Sequence, residues 1–100
     1  MIPAQLPTTE SQLADFCRKH HIRRLSFFGS VLRNDFRPDS DVDALVEFES
    51  GHTPGFGIYD IEQELSQLLG GHPVELVNPK YLNRRLKQTV LNTAILVYEG

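Results

Sequence analysis

Phe27-Phe28-Gly29-Ser30-Val31-Leu32-Arg33, then, after a short gap, Arg37-Pro38-Asp39-Ser40-Asp41-Val42-Asp43, is the stretch on which the fold turns. Ile22 to Phe28 is apolar and β-prone and reads as a strand, which Gly29-Ser30 ends. Ser30 to Asn34 reads as a short helix or turn, and Arg37 to Ser40 as a loop. The second half opens another strand, Asp41 to Glu49. There Val42, Ala44, Val46 and Phe48 alternate with Asp41, Asp43, Leu45 and Glu47, so the two sets face opposite sides of a sheet.

That alternation has a chemical consequence. Asp41 and Asp43 are two apart, so their carboxylates stand side by side, and neighbouring anions repel unless a cation sits between them. A hard divalent ion such as Mg²⁺ suits the pair, because it takes oxygen ligands and keeps sites for substrate phosphates. Gly29-Ser30 supplies the matching phosphate end. Glycine lets a backbone approach a phosphate closely, and N–H groups at a helix start, together with the Ser30 hydroxyl, can donate to its oxygens. Arg33 lies one turn further on, placed either to contact phosphate or to pair with Asp35 or Asp39. Ser40 caps or orients the loop before Asp41. Read apart, Gly29-Ser30 is a turn and Asp41-Val42-Asp43 a charged strand end; the ten-residue gap between them makes them one site.

Outward from this block, Thr8 or Thr9 caps an amphipathic helix to His20, with Leu13, Phe16 and Cys17 inward. Ile58 to Leu69 is a second helix, stopped by Gly70-Gly71. Pro73 to Val77 is a short strand in which Glu75 alternates with Val74 and Leu76. If that strand lies beside Asp41 to Glu49, Glu75 is a third carboxylate at the same metal cluster and a base for an attacking hydroxyl; otherwise it is an ordinary exposed strand residue. Asn78-Pro79 opens a helix to about Asn92, with Leu82, Leu86, Val90 and Leu91 inward. Ala94 to Tyr98 is a last strand. The order α-β-α-β-α-β-α-β predicts an α/β (α+β) sandwich, a small mixed sheet flanked by helices. His20, His21, His52 and His72 show no metal-ligand spacing and read as surface residues. Tyr59, Tyr81 and Tyr98 read as half-buried packing residues.

Gly29-Ser30, the ten-residue gap and Asp41-Val42-Asp43 resemble the signature of the DNA polymerase β-like nucleotidyltransferase superfamily. Phe27 to Arg33, Arg37 to Phe48 and the Val74-Glu75-Leu76-Val77 strand are more closely similar to the minimal nucleotidyltransferase group, over roughly residues 10 to 98. The resemblance implies a nucleotidyltransferase fold and an antitoxin acting beside an all-helical HEPN ribonuclease. The implied reaction is transfer of AMP from ATP, with two Mg²⁺ ions, to a tyrosine hydroxyl of that partner. In family terms Asp41 and Asp43 bind the metals and Glu75 is the third ligand; Gly29, Ser30, Arg33 and Ser40 are the candidate nucleotide-binding residues. Glu75 stands where aspartate is commoner, and Leu32 and Asn34 stand where the family often has a small residue and a glycine. Two other readings remain: an antitoxin that masks its toxin by binding alone, and a small-molecule nucleotidyltransferase.

Composition narrows the class. One hundred residues, 40% hydrophobic and 23% charged, predict one domain spanning residues 1–100. A net charge of −3 argues against a protein that coats nucleic acid. The clusters Arg18, Lys19, Arg23, Arg24 and Lys80, Arg84, Arg85, Lys87 read chiefly as solvated helix surface. A single cysteine excludes an internal disulfide, and no run is long and apolar enough to span a membrane. The expected compartment is the cytoplasm.

Overall fold

Thr9 starts the first helix by a reciprocal cap. Its hydroxyl accepts the Gln12 N–H at 3.1 Å, and the Gln12 side chain accepts the Thr9 N–H at 3.1 Å. From there the computed structural model runs α1 (Glu10–Lys19), β1 (Ile22–Phe28), a 3₁₀ turn (Gly29–Leu32), β2 (Val42–Phe48), α2 (Ile58–Leu68), β3 (Val74–Val77), α3 (Arg84–Thr93) and β4 (Ile95–Glu99). Every residue is described except Met1, Ala4, Gln5, Asn34, Asp35 and Pro38. The expected turn residue Asn34 and the Asp35 partner of Arg33 thus lie outside the described residues.

The four strands form one mixed sheet in the order β3-β2-β1-β4. β1 is antiparallel to both β2 and β4, whereas β3 joins β2 in parallel. The parallel pair needs a crossover, and α2 supplies it. α1 packs on β1 and β4, and α2 packs on β3. Between helices and sheet lies one apolar cluster. Leu13, Phe16 and Cys17 enter it from α1, Ile61 and Leu65 from α2, and Leu25, Phe27, Val42, Ala44, Val46 and Leu76 from the strands.

One irregularity keeps the sheet's inner face apolar. Ile22 pairs with Phe48 but Arg24 pairs with Glu47, so Arg23 is an extra residue on β1. This bulge resets the alternation, and both Ile22 and Leu25 are buried although they stand three apart. Arg24 then lies on the opposite face, where its guanidinium donates to Glu47 at 3.3 Å and Glu99 at 2.6 Å, linking β2, β1 and β4. Lys19 and His20 likewise meet Glu64 of α2 at 2.9 and 3.1 Å. With Arg18 paired to Asp15, three of the four residues of the early basic cluster are engaged by carboxylates.

The last helix differs from its expected course. Asn78 caps only a 3₁₀ turn, Pro79–Tyr81, and Leu82 returns to extended backbone. Asn83 then caps α3 afresh, accepting the Leu86 N–H at 2.8 Å. Of the four residues expected inward, only Val90 is buried; Leu86 and Leu91 are each 49% exposed and Leu82 is half-buried. The second cap rotates the helix away from the phase that a continuous Asn78–Asn92 helix would have had. Tyr59 and Tyr81, expected half-buried, are also exposed.

Candidate active site

Where β1 ends, Gly29 takes φ +80°, a left-handed backbone that an L side chain adopts only at a cost of about 1–2 kcal/mol. A Cβ at this position would stand 2.8 Å from Oδ2 of Asp43. Glycine is thus required twice, once by the turn and once by the carboxylate lying against it. Phe28 is the cross-strand partner of Asp43, which fixes that approach through the β1–β2 ladder.

Ser30 ties the turn to the next strand. Its hydroxyl donates to the Asp41 carbonyl at 3.1 Å, and its own carbonyl accepts the Arg33 N–H at 3.0 Å. The hydroxyl proton foreseen for a phosphate is here spent on the loop that ends in Asp41. Arg33 is exposed at the end of the same turn. Ser40 orients the loop as expected: its hydroxyl accepts the Arg37 N–H at 3.0 Å.

β3 completes the group. Its register pairs Glu75 with Asp43, so the two side chains project from neighbouring strands on the same side of the sheet. Asp41 precedes β2 by one residue and is exposed. Three carboxylates are therefore neighbours beyond Gly29-Ser30, with their oxygens further apart than the mutual spacing of bound metal ligands. The electrostatics register their closeness: burial, then Glu75, then Asp41 raise the Asp43 carboxyl above its ordinary range. A short strand at a sheet edge needs support, and β3 has it on both sides. Val42 donates to the Pro73 carbonyl at 2.8 Å, and Glu62 of α2 accepts the Leu76 N–H at 2.7 Å.

A residue that sequence reasoning placed on the surface helps hold this arrangement. His72 is buried, and its Nδ1 lies 2.9 Å from the Ser40 carbonyl. A carbonyl only accepts, so Nδ1 carries the proton. The Ser66 hydroxyl donates to the His72 carbonyl at 2.6 Å, and the Phe36 ring lies 4.7 Å away. His72 thereby joins the loop before Asp41 to the entry of β3, the two segments that carry the carboxylates. Its position between Gly71 and Pro73 gave the only sequence signal, a turn.

The donor set fits a hard divalent cation. It is all carboxylate oxygen, and Asp43 carries unfavourable charge that a cation would relieve. The histidines, which would favour softer ions, do not belong to it: His72 Nδ1 is turned to the Ser40 carbonyl.

Comparison with known proteins gives the family and the fold. Residues 10–97 match the nucleotidyltransferase domain family. A protein adenylyltransferase MntA of Thermococcus cleftensis is 36% identical, over 76% of this chain and 75% of the relative. A solved protein assigned as a minimal nucleotidyltransferase is 37% identical and superposes with a TM-score of 0.70 over 86% of each chain. A tri-AMPylated Shewanella oneidensis HEPN toxin in complex with an MNT antitoxin shares the fold, with TM-score 0.64 and 19% identity over 91% of this chain and 70% of that one. The chain belongs to the nucleotidyltransferase domain family and is a nucleotidyltransferase.

Proposed function

We propose that this protein is an antitoxin that transfers AMP from ATP to a tyrosine hydroxyl of a HEPN ribonuclease and so silences it. The observation that carries the reading is the register pairing of Glu75 with Asp43. In this reading it adds a third carboxylate to the Asp41 and Asp43 pair beside the Gly29-Ser30 turn. The adenylyltransferase relative and the AMPylated HEPN toxin held by an MNT antitoxin supply the acceptor class.

In this reading the Gly29–Leu32 turn receives the triphosphate through its backbone N–H groups, with Arg33 and Ser40 at its margin. Asp41, Asp43 and Glu75 would hold Mg²⁺, which supplies neutralisation of phosphate charge and a lowered pKa at the attacking hydroxyl. The tyrosine oxygen bonds to the α-phosphorus as the bond to pyrophosphate breaks. Its proton passes to a Glu75 carboxylate oxygen, the most solvent-accessible acceptor of the strand pair. His72 ties the loop before Asp41 to the entry of β3. The toxin brings the acceptor to this centre.

The test is transfer of label from [α-³²P]ATP to the cognate HEPN protein with Mg²⁺. Wild type is expected to label it, and Asp41→Ala, Asp43→Ala and Glu75→Gln to lose labelling. Asp43→Asn that still binds the toxin but no longer neutralises it supports catalysis. Asp43→Asn that neutralises fully would overturn it in favour of masking.

A further inference from the structure

We propose a second metal site, formed by His21, Glu49 and His52, that takes a transition ion of the Zn²⁺ class. Among the described residues these three form the one group of histidine, cysteine and acidic side chains with mutual metal-ligand spacing, a ligand atom of each lying within 4.8 Å of the others. Their chain positions, 21, 49 and 52, gave no hint of it.

The backbone builds the convergence. Glu49 N–H donates to the His21 carbonyl at 2.8 Å, extending the β1–β2 ladder one step beyond the Ile22–Phe48 pair. This sets His21 opposite Glu49, and His21 Nδ1 lies 4.0 Å from Glu49 Oε1. Glu49 to His52 is then a β-turn closed by the His52 N–H on the Glu49 carbonyl at 3.0 Å, with Gly51 at φ +82° in the third position, as a type II turn requires. The turn folds His52 back onto His21, whose rings stack at 3.8 Å with 16° between their planes. His21 itself is a non-glycine residue at φ 58°, a left-handed conformation that costs free energy and aims its ring at Glu49 and His52.

Neutral imidazole is a common metal ligand through either ring nitrogen. Two imidazole nitrogens and one carboxylate oxygen match the three-protein-ligand pattern of zinc sites, whereas Mg²⁺ prefers oxygen alone. Zinc bonds of about 2.0–2.2 Å put tetrahedral ligands roughly 3.4 Å apart. The present spacing contracts to that by rotation of three exposed side chains, leaving the core untouched. The site is separate from the carboxylate centre: Glu49 lies six residues beyond Asp43, about 20 Å along an extended chain. A metal there would staple the start of β1 to the turn that leads toward α2.

The experiment uses the untagged chain carrying Asp41→Asn and Asp43→Asn, so that the carboxylate centre does not report. Equilibrium dialysis against micromolar Zn²⁺ is expected to give one bound equivalent. Titration with Co²⁺ should produce the visible absorption of a low-coordinate site, and Zn²⁺ should raise the melting temperature. His21→Ala and His52→Ala, both at exposed positions, are each expected to weaken binding by at least about tenfold and to remove the thermal shift. His52→Gln repeats the test with side-chain bulk retained. No stoichiometric Zn²⁺ binding, or binding indifferent to both histidines, would overturn the proposal.

Discussion

At the scale of single residues, function and stability pull against each other around Asp43. Burial, Glu75 and Asp41 all disfavour its charge, so the cation-free chain holds an unrelieved repulsion at neutral pH. Asp43→Asn is therefore expected to raise the melting temperature of the Mg²⁺-free protein by a few degrees while lowering AMP transfer by at least about 100-fold. Calorimetry in EDTA and label transfer measure the two halves separately. Gly29→Ala makes the opposite case, losing both. It meets Asp43 Oδ2 at 2.8 Å and a left-handed backbone, so a loss of about 1–2 kcal/mol in urea unfolding is expected together with loss of transfer. Asp41, Asp43 and Gly29-Ser30 were legible because period-two alternation and a glycine turn are local patterns. The role of His72 was not, because its partner Ser40 is remote in sequence and no periodicity links them.

Among the elements, α1 and α2 are joined at the surface by Lys19 and His20 on Glu64. The hydrogen bond from Lys19, with further help from His20, lowers the Glu64 carboxyl below its ordinary range. A depressed acid stabilises the fold above its unfolded pKa, and that stabilisation is lost as pH falls through the folded value. Glu64→Gln is thus expected to cost roughly 0.2–1 kcal/mol at pH 7, with the difference from wild type closing as pH falls below about 4. Urea unfolding across that range checks the sign. α3 offers a sharper contrast. Val90→Ala removes buried methyls and should cost about 1.5 kcal/mol, whereas Leu86→Ser, at a half-exposed position, should stay within about 0.5 kcal/mol. Helix periodicity alone gave Leu86 and Val90 the same role. It failed because Asn83 restarts the helix, and nothing in an apolar repeat reveals which of two asparagines is the working cap. The strands were read well by comparison, since β1, β2, β3 and β4 each follow an apolar or alternating run.

For the molecule as a whole, Cys17 is a built-in reporter. It lies fully buried between α1 and the sheet, and burial raises its thiol to about 12 despite the nearby Arg18. Disulfide reagents are expected to leave the native chain unmodified and to label it only at the rate of global unfolding, which stopped-flow labelling in dilute urea can follow. The packing of helices on a mixed sheet was legible from element order. The strand order was not, because pairing between β2 and β3 depends on the α2 crossover rather than on either strand's residues. That pairing governs more than geometry. Glu75 rides on a four-residue strand at the rim of the sheet, bound to β2 on one flank and to the Glu62 side chain on the other. Rim strands open more readily than central ones. Amide exchange at Leu76 should accordingly outpace exchange at Leu25 and Val46. Each such opening would carry Glu75 away from Asp43 while the rest of the sheet stays closed, so under the proposed function the working fraction of the enzyme would be set by the weakest strand it owns.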